Sequence, residues 1–194
     1  DLFAGLEVLY YEVLGLCKPG EGGALVDEGV VELTGDLPVN PSGGRLACGH
    51  IAGPSEVAVI ADRYCNPQYL IADLLGEMEH AGGLGFLITT SKGLAKLVRK
   101  QVPGGYCVLV KNLDEAAEAA NGLAPEHLEI MVRSPQKLAR RIRHAGAIFL
   151  GPYSPVTVGD YVAGPSHVLP TGGSARAFSG LGIDDFIRRT HLIT

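Results

Sequence analysis

The sequence predicts an α/β fold in which a parallel sheet is flanked by helices. Two observations predict this class. Short apolar runs rich in β-branched residues alternate with longer segments that begin with helix-capping residues. The runs are apolar along their whole length, as expected of strands buried on both faces. The 194 residues, 46% of them hydrophobic, suffice for one substantial domain or two small ones.

Each element follows from local pattern. The predicted strands are residues 30–33, 57–60, 86–90, 106–110, 128–132 and 147–150. The predicted helices are residues 1–17, 68–80, 91–100, 114–120 and 134–144. Asn66 followed by Pro67, and Ser91, are N-terminal capping signals, and the Asn121-Gly122 pair predicts a helix end. After residue 150 the chain is rich in glycine and proline and is predicted to be loop.

Composition excludes several classes of function. The net charge is -5, with no basic cluster beyond short runs, which argues against nucleic acid or an anionic membrane surface as a partner. No apolar run reaches the length of a membrane-spanning helix, and no signal peptide is apparent. The four cysteines are scattered and form no C-x-x-C pair. They indicate reduced thiols and therefore a cytoplasmic protein.

Glu126 and His127 are the first candidates for chemistry. A carboxylate beside an imidazole supplies two groups that can exchange protons near neutral pH. Pro125 fixes its own φ and favours an extended Ala124, which would hold the pair rigidly. The alternative is a solvent-exposed pair where a strand begins.

Glu77 and His80 are candidates for metal binding. They are three residues apart near the end of a predicted helix, so they share a face and could form half of a zinc site. An exposed helix end is the alternative. Asp160 and His167 add a carboxylate and an imidazole on the glycine- and proline-rich loop. Ligands gathered from a helix and distant loops are typical of a metal site in an α/β enzyme.

Residues 1–50 carry a first family resemblance. The predicted amphipathic helix, the run GDLPVNPSGG and the pair Gly49-His50 resemble the C-terminal half of a thiolase of the sterol-carrier-protein type. In that family the histidine of the Gly-His pair, which falls on His50, activates a nucleophilic cysteine. No cysteine of this chain falls on that nucleophile, so we expect a catalytically inactive remnant. Its Leu6, Leu9 and Val13 stripe is expected to be exposed.

Residues 51–188 carry a second resemblance, to histidinol dehydrogenase. The runs IAGPSEVAVIAD, ADLLGEMEH, LAPEHLEI, AGAIFLGPYSPVTVGDYVAGPSHVLPTGG and FSGLGIDDF are similar to that family in order and spacing. The resemblance implies an incomplete Rossmann-like half and two segments, 1–50 and 51–194. It implies oxidation of L-histidinol to L-histidine through L-histidinal, with zinc and two NAD, by a cytoplasmic homodimer acting on a small molecule.

The resemblance also implies roles for individual residues. His127 would accept the hydroxyl proton, and Glu126 would activate water at the aldehyde stage. The implied zinc ligands are Glu77, His80 and Asp160. The implied substrate-binding residues are Ser55, Glu77, His80, His127, Asp160 and His167.

The chain also departs from the family. The family usually has glutamine where this chain has Glu77, which is compatible with a paralogue that oxidises another small alcohol. The family's N-terminal half and C-terminal tail have no counterpart here, and no G-x-G-x-x-G loop is present, so residues binding NAD stay unassigned. We therefore expect an incomplete or fused fragment, inactive alone. The remaining alternatives are a thiolase-like acyltransferase remnant and a non-catalytic fusion.

Overall fold

The computed structural model describes residues 30–31, 54–187 and 189–194. Six parallel strands form one sheet in the order β1-β4-β3-β2-β5-β6. The strands are β1 (Val30–Val31), β2 (Glu56–Ala61), β3 (Leu84–Thr89), β4 (Tyr106–Leu109), β5 (His127–Met131) and β6 (Ala147–Leu150). The helices are α1 (Pro67–Met78), α2 (Lys92–Gln101), α3 (Leu113–Leu123), α4 (Pro135–Ala139) and α5 (Val156–Tyr161). Two 3₁₀ turns follow, at Ser174–Arg176 and Ile183–Phe186. The predicted α/β class is confirmed.

The capping residues begin the helices as predicted. The Asn66 side chain accepts a hydrogen bond from the Gln68 N–H, and Pro67 occupies the first position of α1. The Ser91 hydroxyl accepts from the Leu94 N–H at the start of α2. Each cap satisfies a backbone donor that has no partner within its helix.

Apolar side chains cover both faces of the sheet. One cluster joins β2, β3, β4 and β5 to α3 and α4 and includes Ala58, Phe86 and Ile130. The other joins the same strands to α1 and α2 and includes Val59 and Leu74. Strands buried on both faces carry continuous apolar runs, which is why the pattern was legible in the sequence.

Three predicted helix ends were wrong, and one helix was missed. Helix α1 ends at Met78 instead of residue 80, and Asn121 explains the other two ends. The helix predicted over 114–120 continues through Asn121 to Leu123. The Asn121 side chain leaves its own backbone in the helix and bonds instead to Arg143 N–H, His144 N–H and the Arg141 carbonyl oxygen. That capture holds the chain after Ala139 in turns, so α4 ends well before residue 144. The predicted loop after residue 150 contains α5.

The expected extended conformation of Ala124 was also wrong. Ala124 caps α3 in the left-handed region, with φ 50° and ψ 56°. Its N–H donates to the Ala120 carbonyl oxygen, which closes the last turn of α3. A left-handed alanine costs about 1 kcal/mol. The strain lies two residues before the Glu126–His127 pair.

The N-terminal expectations are largely outside the described residues. Val30 and Val31 pair in parallel with Cys107 and Val108 of β4, within the strand predicted at 30–33. The helix predicted over 1–17, its Leu6, Leu9 and Val13 stripe, and His50 lie outside the described residues. Within the described part of the chain, every helix is too short or too polar to reach across a lipid bilayer.

Candidate active site

One cavity of about 230 Å³ gathers the seven site residues predicted within residues 51–194. Its lining consists of Ser55, Glu77, His80, Glu126, His127, Asp160, Tyr161 and His167. The cavity lies where β2 and β5 begin, because Ser55 precedes β2 and His127 is the first residue of β5. The cavity therefore lies at the amino edge of the sheet, where its strands begin. Ligands of open α/β sheets usually bind at the opposite, carboxyl edge, beyond the ends of the strands.

Two glutamates lock the beginnings of β2 and β5 together. The Glu126 N–H donates to Glu56 Oε1 at 3.2 Å, and the Glu56 N–H donates to Glu126 Oε2 at 3.2 Å. Both side chains are buried, so the hydrogen bonds are protected from water. The Glu126 carbonyl oxygen also accepts from the Ala147 N–H of β6. The reciprocal pair fixes the backbone from which Glu126 and His127 project.

The Ser55 hydroxyl lies between two carboxylates. Its oxygen is 2.8 Å from Glu126 Oε2 and also contacts Glu77 Oε1 closely. One hydroxyl proton can satisfy only one of them. The other carboxylate needs a proton or a cation to be stable so close to its neighbour.

His127 is buried without a hydrogen bond. The residue is 4% exposed, and neither ring nitrogen has a hydrogen-bond partner among the described residues. Its Nδ1 lies 3.7 Å from Glu77 Oε1 and 3.8 Å from Glu126 Oε2, which is ion-pair range but too long for a hydrogen bond. A buried polar group left in this state is costly unless a ligand completes it.

The site carries an excess of buried negative charge. Among the described residues that line the cavity, Glu77 and Glu126 are buried carboxylates, and neither lysine nor arginine is present. Burial raises the pKa of the Glu126 carboxyl, and the charge of Glu77 adds to the effect; His127, Ser55 and the Glu56 N–H oppose it. A carboxyl with a raised pKa is a better proton acceptor than an exposed one.

The donor atoms fit a bound cation. One ligand atom from each of Glu77, Glu126 and His127 lies within 4.8 Å of the others. His80 and Asp160 belong to the same cavity wall but not to that tight group. Helix α1 ends at Met78, so His80 lies in the following turn, with its Nδ1 3.0 Å from the Glu77 carbonyl oxygen. The zinc set Glu77, His80 and Asp160 is thus brought to one cavity and stays a prediction.

Sequence reasoning gave no role to three residues near this site. Glu56 forms the backbone lock, Tyr161 lines the cavity, and Glu129 is fully buried two residues after His127. Glu56 and Glu129 did leave a signal, since each is an acidic residue within an otherwise apolar strand. Tyr161 is largely exposed, and its sequence context carries no comparable signal.

Comparison with known proteins gives two family matches. The family described as histidinol dehydrogenase matches residues 42–194. A family described as thiolase C-terminal domain-like matches residues 1–65. The matches overlap at residues 42–65, and the boundary that we place between residues 50 and 51 lies inside this overlap.

Individual relatives support the larger match. The chain is 44% identical over 174 residues to the histidinol dehydrogenase of Halalkalibacterium halodurans, covering 77% of this chain and 41% of the relative. It is 47% identical over 162 residues to the Aquifex aeolicus histidinol dehydrogenase, covering 74% of this chain and 38% of the relative. A crystal structure of the Elizabethkingia anophelis histidinol dehydrogenase superposes with a TM-score of 0.67 at 34% identity, covering 71% of this chain and 36% of that one. The chain therefore spans about two fifths of the length of the curated relatives it matches.

Proposed function

The chain belongs to the histidinol dehydrogenase family, and from that premise we propose that it provides the zinc and substrate site for NAD-dependent oxidation of L-histidinol to L-histidine through L-histidinal. One observation supports the proposal above all. Two buried carboxylates, Glu77 and Glu126, lie 3.7 Å and 3.8 Å from His127 Nδ1, and the described residues lining the cavity include no lysine or arginine. Neither ring nitrogen of His127 has a hydrogen-bond partner among the described residues. Such a cluster calls for a cation and a polar ligand.

Glu77, His80 and Asp160 are the residues that we assign to zinc. A carboxylate, an imidazole and a second carboxylate are ordinary zinc ligands, and all three line the cavity. Bound zinc would polarise the substrate oxygen and orient the substrate's nitrogen atoms. The excess of buried negative charge described above favours a divalent cation at this position.

The chemical roles of His127 and Glu126 follow from their environments. Oxidising an alcohol removes a hydride from carbon and a proton from the hydroxyl group. His127 can take that proton because its nitrogens are free of competing hydrogen bonds among the described residues. Glu126 can then activate a water for attack on the aldehyde, since burial raises the pKa of its carboxyl. A second hydride leaves from the hydrated aldehyde.

Substrate positioning and the hydride acceptor complete the proposal. We assign Ser55 and His167, which both line the cavity, to contacts with substrate. Each of the two oxidations delivers one hydride to one NAD, so two NAD are consumed for each L-histidinol. Family membership supports NAD, a cytoplasmic reaction and a homodimeric intact enzyme. We assign no residue of this chain to NAD.

Binding measurements test the proposal directly. We expect Zn²⁺ titrated into the chain to bind at one site, and His80→Ala and Asp160→Ala to weaken it at least tenfold. His144→Ala is the matched control, because His144 lies outside the cavity lining. L-histidinol should bind only to the zinc-loaded chain. Equal Zn²⁺ affinity in all four proteins would contradict the zinc assignment, and histidinol binding without zinc would contradict the substrate site.

Turnover separates the two catalytic roles and the substrate alternatives. In a protein that adds the family's remaining segments to this chain, we expect His127→Asn to slow NADH formation from L-histidinol by about 10²–10⁴-fold. In the same protein, Glu126→Gln should slow mainly NADH formation from L-histidinal. Glu126→Gln that slows both substrates equally would contradict the division of roles. Zinc-dependent binding of a small alcohol without an imidazole, tighter than that of L-histidinol, would favour the paralogue with another substrate.

A further inference from the structure

Glu129 is an acidic residue placed where only apolar side chains are expected. It shares one face of β5 with His127 and Met131 and pairs in register with Val59 of β2 and Phe149 of β6. Its solvent exposure is 0%. The side chain therefore lies in the apolar layer between the sheet and the helices on the α1 side. Burying a carboxyl group there is costly unless it is neutral or hydrogen-bonded.

Two polar contacts hold this carboxyl group. The N–H of Val156, the first residue of α5, donates to Glu129 Oε1 at 3.1 Å. The second contact is the carboxyl group of Asp73 on α1, which is placed to share a hydrogen bond with Glu129 once one of the two groups is protonated. With both ionised, Glu129 Oε2 has no hydrogen-bond donor among the described residues. Two carboxyl groups can share a hydrogen bond only if one of them keeps its proton. Burial and then the charge of Asp73 raise the pKa of Glu129 to about 9, which places that proton on Glu129 near neutral pH.

These contacts lead to the two helices that carry the proposed zinc ligands. Asp73 lies one turn before Glu77 on α1, and Val156 lies one turn before Asp160 on α5. Glu129 touches both helices below the cavity, although it is absent from the cavity lining. A single buried side chain thus joins the supports of Glu77 and Asp160.

We infer that Glu129 is a positioning residue: its carboxyl group joins α1 to α5 and sets the separation of Glu77 from Asp160. The inference rests on the proposed function, because that proposal is what assigns Glu77 and Asp160 to zinc. Groups behind a metal site that orient its ligands typically contribute 10–100-fold to metal affinity. The link itself exists without zinc, because both contacts are within the protein.

Two substitutions at this position isolate the link. Glutamine in Glu129→Gln is neutral, keeps an oxygen for the Val156 N–H and can donate to Asp73. Leucine in Glu129→Leu fills a similar volume but makes neither contact. Ile130→Ala is the control for general destabilisation, because Ile130 is buried on the opposite face of the same strand. By Zn²⁺ titration against a competing chelator, we expect Glu129→Leu to weaken binding tenfold or more. Glu129→Gln should stay within about threefold of the parent chain, and Ile130→Ala should be unchanged.

A metal-free measurement makes the test independent of the zinc assignment. We expect amide hydrogen exchange at Val156, compared with exchange at Val59 in the central strand, to accelerate at least tenfold in Glu129→Leu and to stay slow in Glu129→Gln. Unchanged Val156 exchange in Glu129→Leu would overturn the link. A Zn²⁺ affinity equal in Glu129→Leu and Ile130→Ala would overturn its role in positioning ligands. A parent chain that binds no Zn²⁺ but loses Val156 protection in Glu129→Leu would refute the proposed metal and support the link.

Discussion

The two edges of the sheet treat charged side chains in opposite ways. At the amino edge, Glu77, Glu126 and His127 are buried and crowded. Neither ring nitrogen of His127 has a hydrogen-bond partner among the described residues. At the carboxyl edge, a second cavity is lined by Asp62, Arg63, Tyr64, Thr90, Ser91, Lys111, Asn112 and Leu113. There the charges are of both signs and mostly exposed. Exposed charges cost the fold little, whereas buried charges without partners cost several kcal/mol.

The polar groups of the carboxyl edge already have structural tasks. Asp62 accepts a hydrogen bond from the Tyr64 N–H, and Ser91 and Asn112 cap helices α2 and α3. Lys111 lies 4.0 Å from Glu115 on the same surface. The carboxyl-edge cavity is the larger of the two, at about 530 Å³ against about 230 Å³, so cavity size does not distinguish the candidate site. The difference lies in buried polar groups that the protein itself leaves incomplete, and these lie at the amino edge.

The largest expected difference between the two edges is in how their variants change the stabilisation by Zn²⁺. At about a thousandfold excess over its dissociation constant, Zn²⁺ should raise the free energy of unfolding by about 4 kcal/mol, because it binds the folded chain. Glu77→Ala should remove most of that gain, and Asp62→Ala, the matched acid of the carboxyl edge, should keep it. Urea unfolding with and without Zn²⁺ measures both. Equal losses in the two variants would erase the distinction between the edges.

The second effect is a pH dependence that originates at Glu129. The pKa of Glu129 rises from its ordinary 4.5 to about 9 in the folded chain. The folded state then holds a proton that the unfolded state releases, so this contribution is complete below about pH 4.5 and is lost as the pH rises toward 9. In chelator, we expect the free energy of unfolding to fall by about 2–3 kcal/mol between pH 6 and pH 8.

The matched control for this pH dependence is an exposed glutamate. Glu129→Gln should flatten the profile, since its side chain does not titrate. Glu118→Gln, on the exposed surface of α3, should leave the slope of the parent chain intact. A parent profile that rises from pH 6 to pH 8 would show that Glu129 is ionised in the folded protein.

Helix α5 offers a smaller test of packing at the amino edge. A Cβ atom added to Gly159 would lie 2.7 Å from the Phe149 ring, so Gly159 allows α5 to approach β6. Overpacking costs about 1–3 kcal/mol, partly offset by the better helix propensity of alanine. We expect Gly159→Ala to lose about 1 kcal/mol of unfolding free energy. Gly76→Ala in α1, where an added Cβ meets nothing within 4 Å, should gain up to about 1 kcal/mol.

The smallest effect should come from the carboxyl edge. Lys111 is 84% exposed in its ion pair with Glu115, and such pairs contribute about 0–1 kcal/mol. Lys111→Ala should therefore change the free energy of unfolding by less than about 0.5 kcal/mol and leave Zn²⁺ affinity unaltered. A tenfold change in Zn²⁺ affinity would mean that the two edges communicate.

The sequence predicted the sheet well because its signal is local. Runs such as Val57 to Ile60 are apolar on both faces, and caps such as Asn66 mark helix starts within a few residues. Helix ends were predicted less well, since the short α4 depends on Asn121, a side chain about twenty residues upstream. The left-handed Ala124 could not be read locally either, because a residue before proline favours extended geometry.

The sequence predicted most residues that line the candidate site but not the buried residue Glu129 beneath it. Ser55, Glu77, Glu126 and Asp160 were named through long motifs in register, and the fold brings them to one cavity. The spacing of Glu77 and His80 alone could not have established this, because α1 ends between them. Glu129 makes its contacts to α1 and α5 only after the sheet has formed, so no short window of sequence contains them.

The lock between Glu56 and Glu126 joins residues 70 positions apart, and this distance has a kinetic consequence. Strands β3 and β4 and their helices lie between β2 and β5 in the sequence, so pairing β2 with β5 closes a loop that contains all of them. Closing so long a loop is among the slower events in folding, because its entropy is lost before the contacts form. The amino-edge cavity is therefore completed late. A cation that needs the finished cavity would slow unfolding far more than it would speed folding.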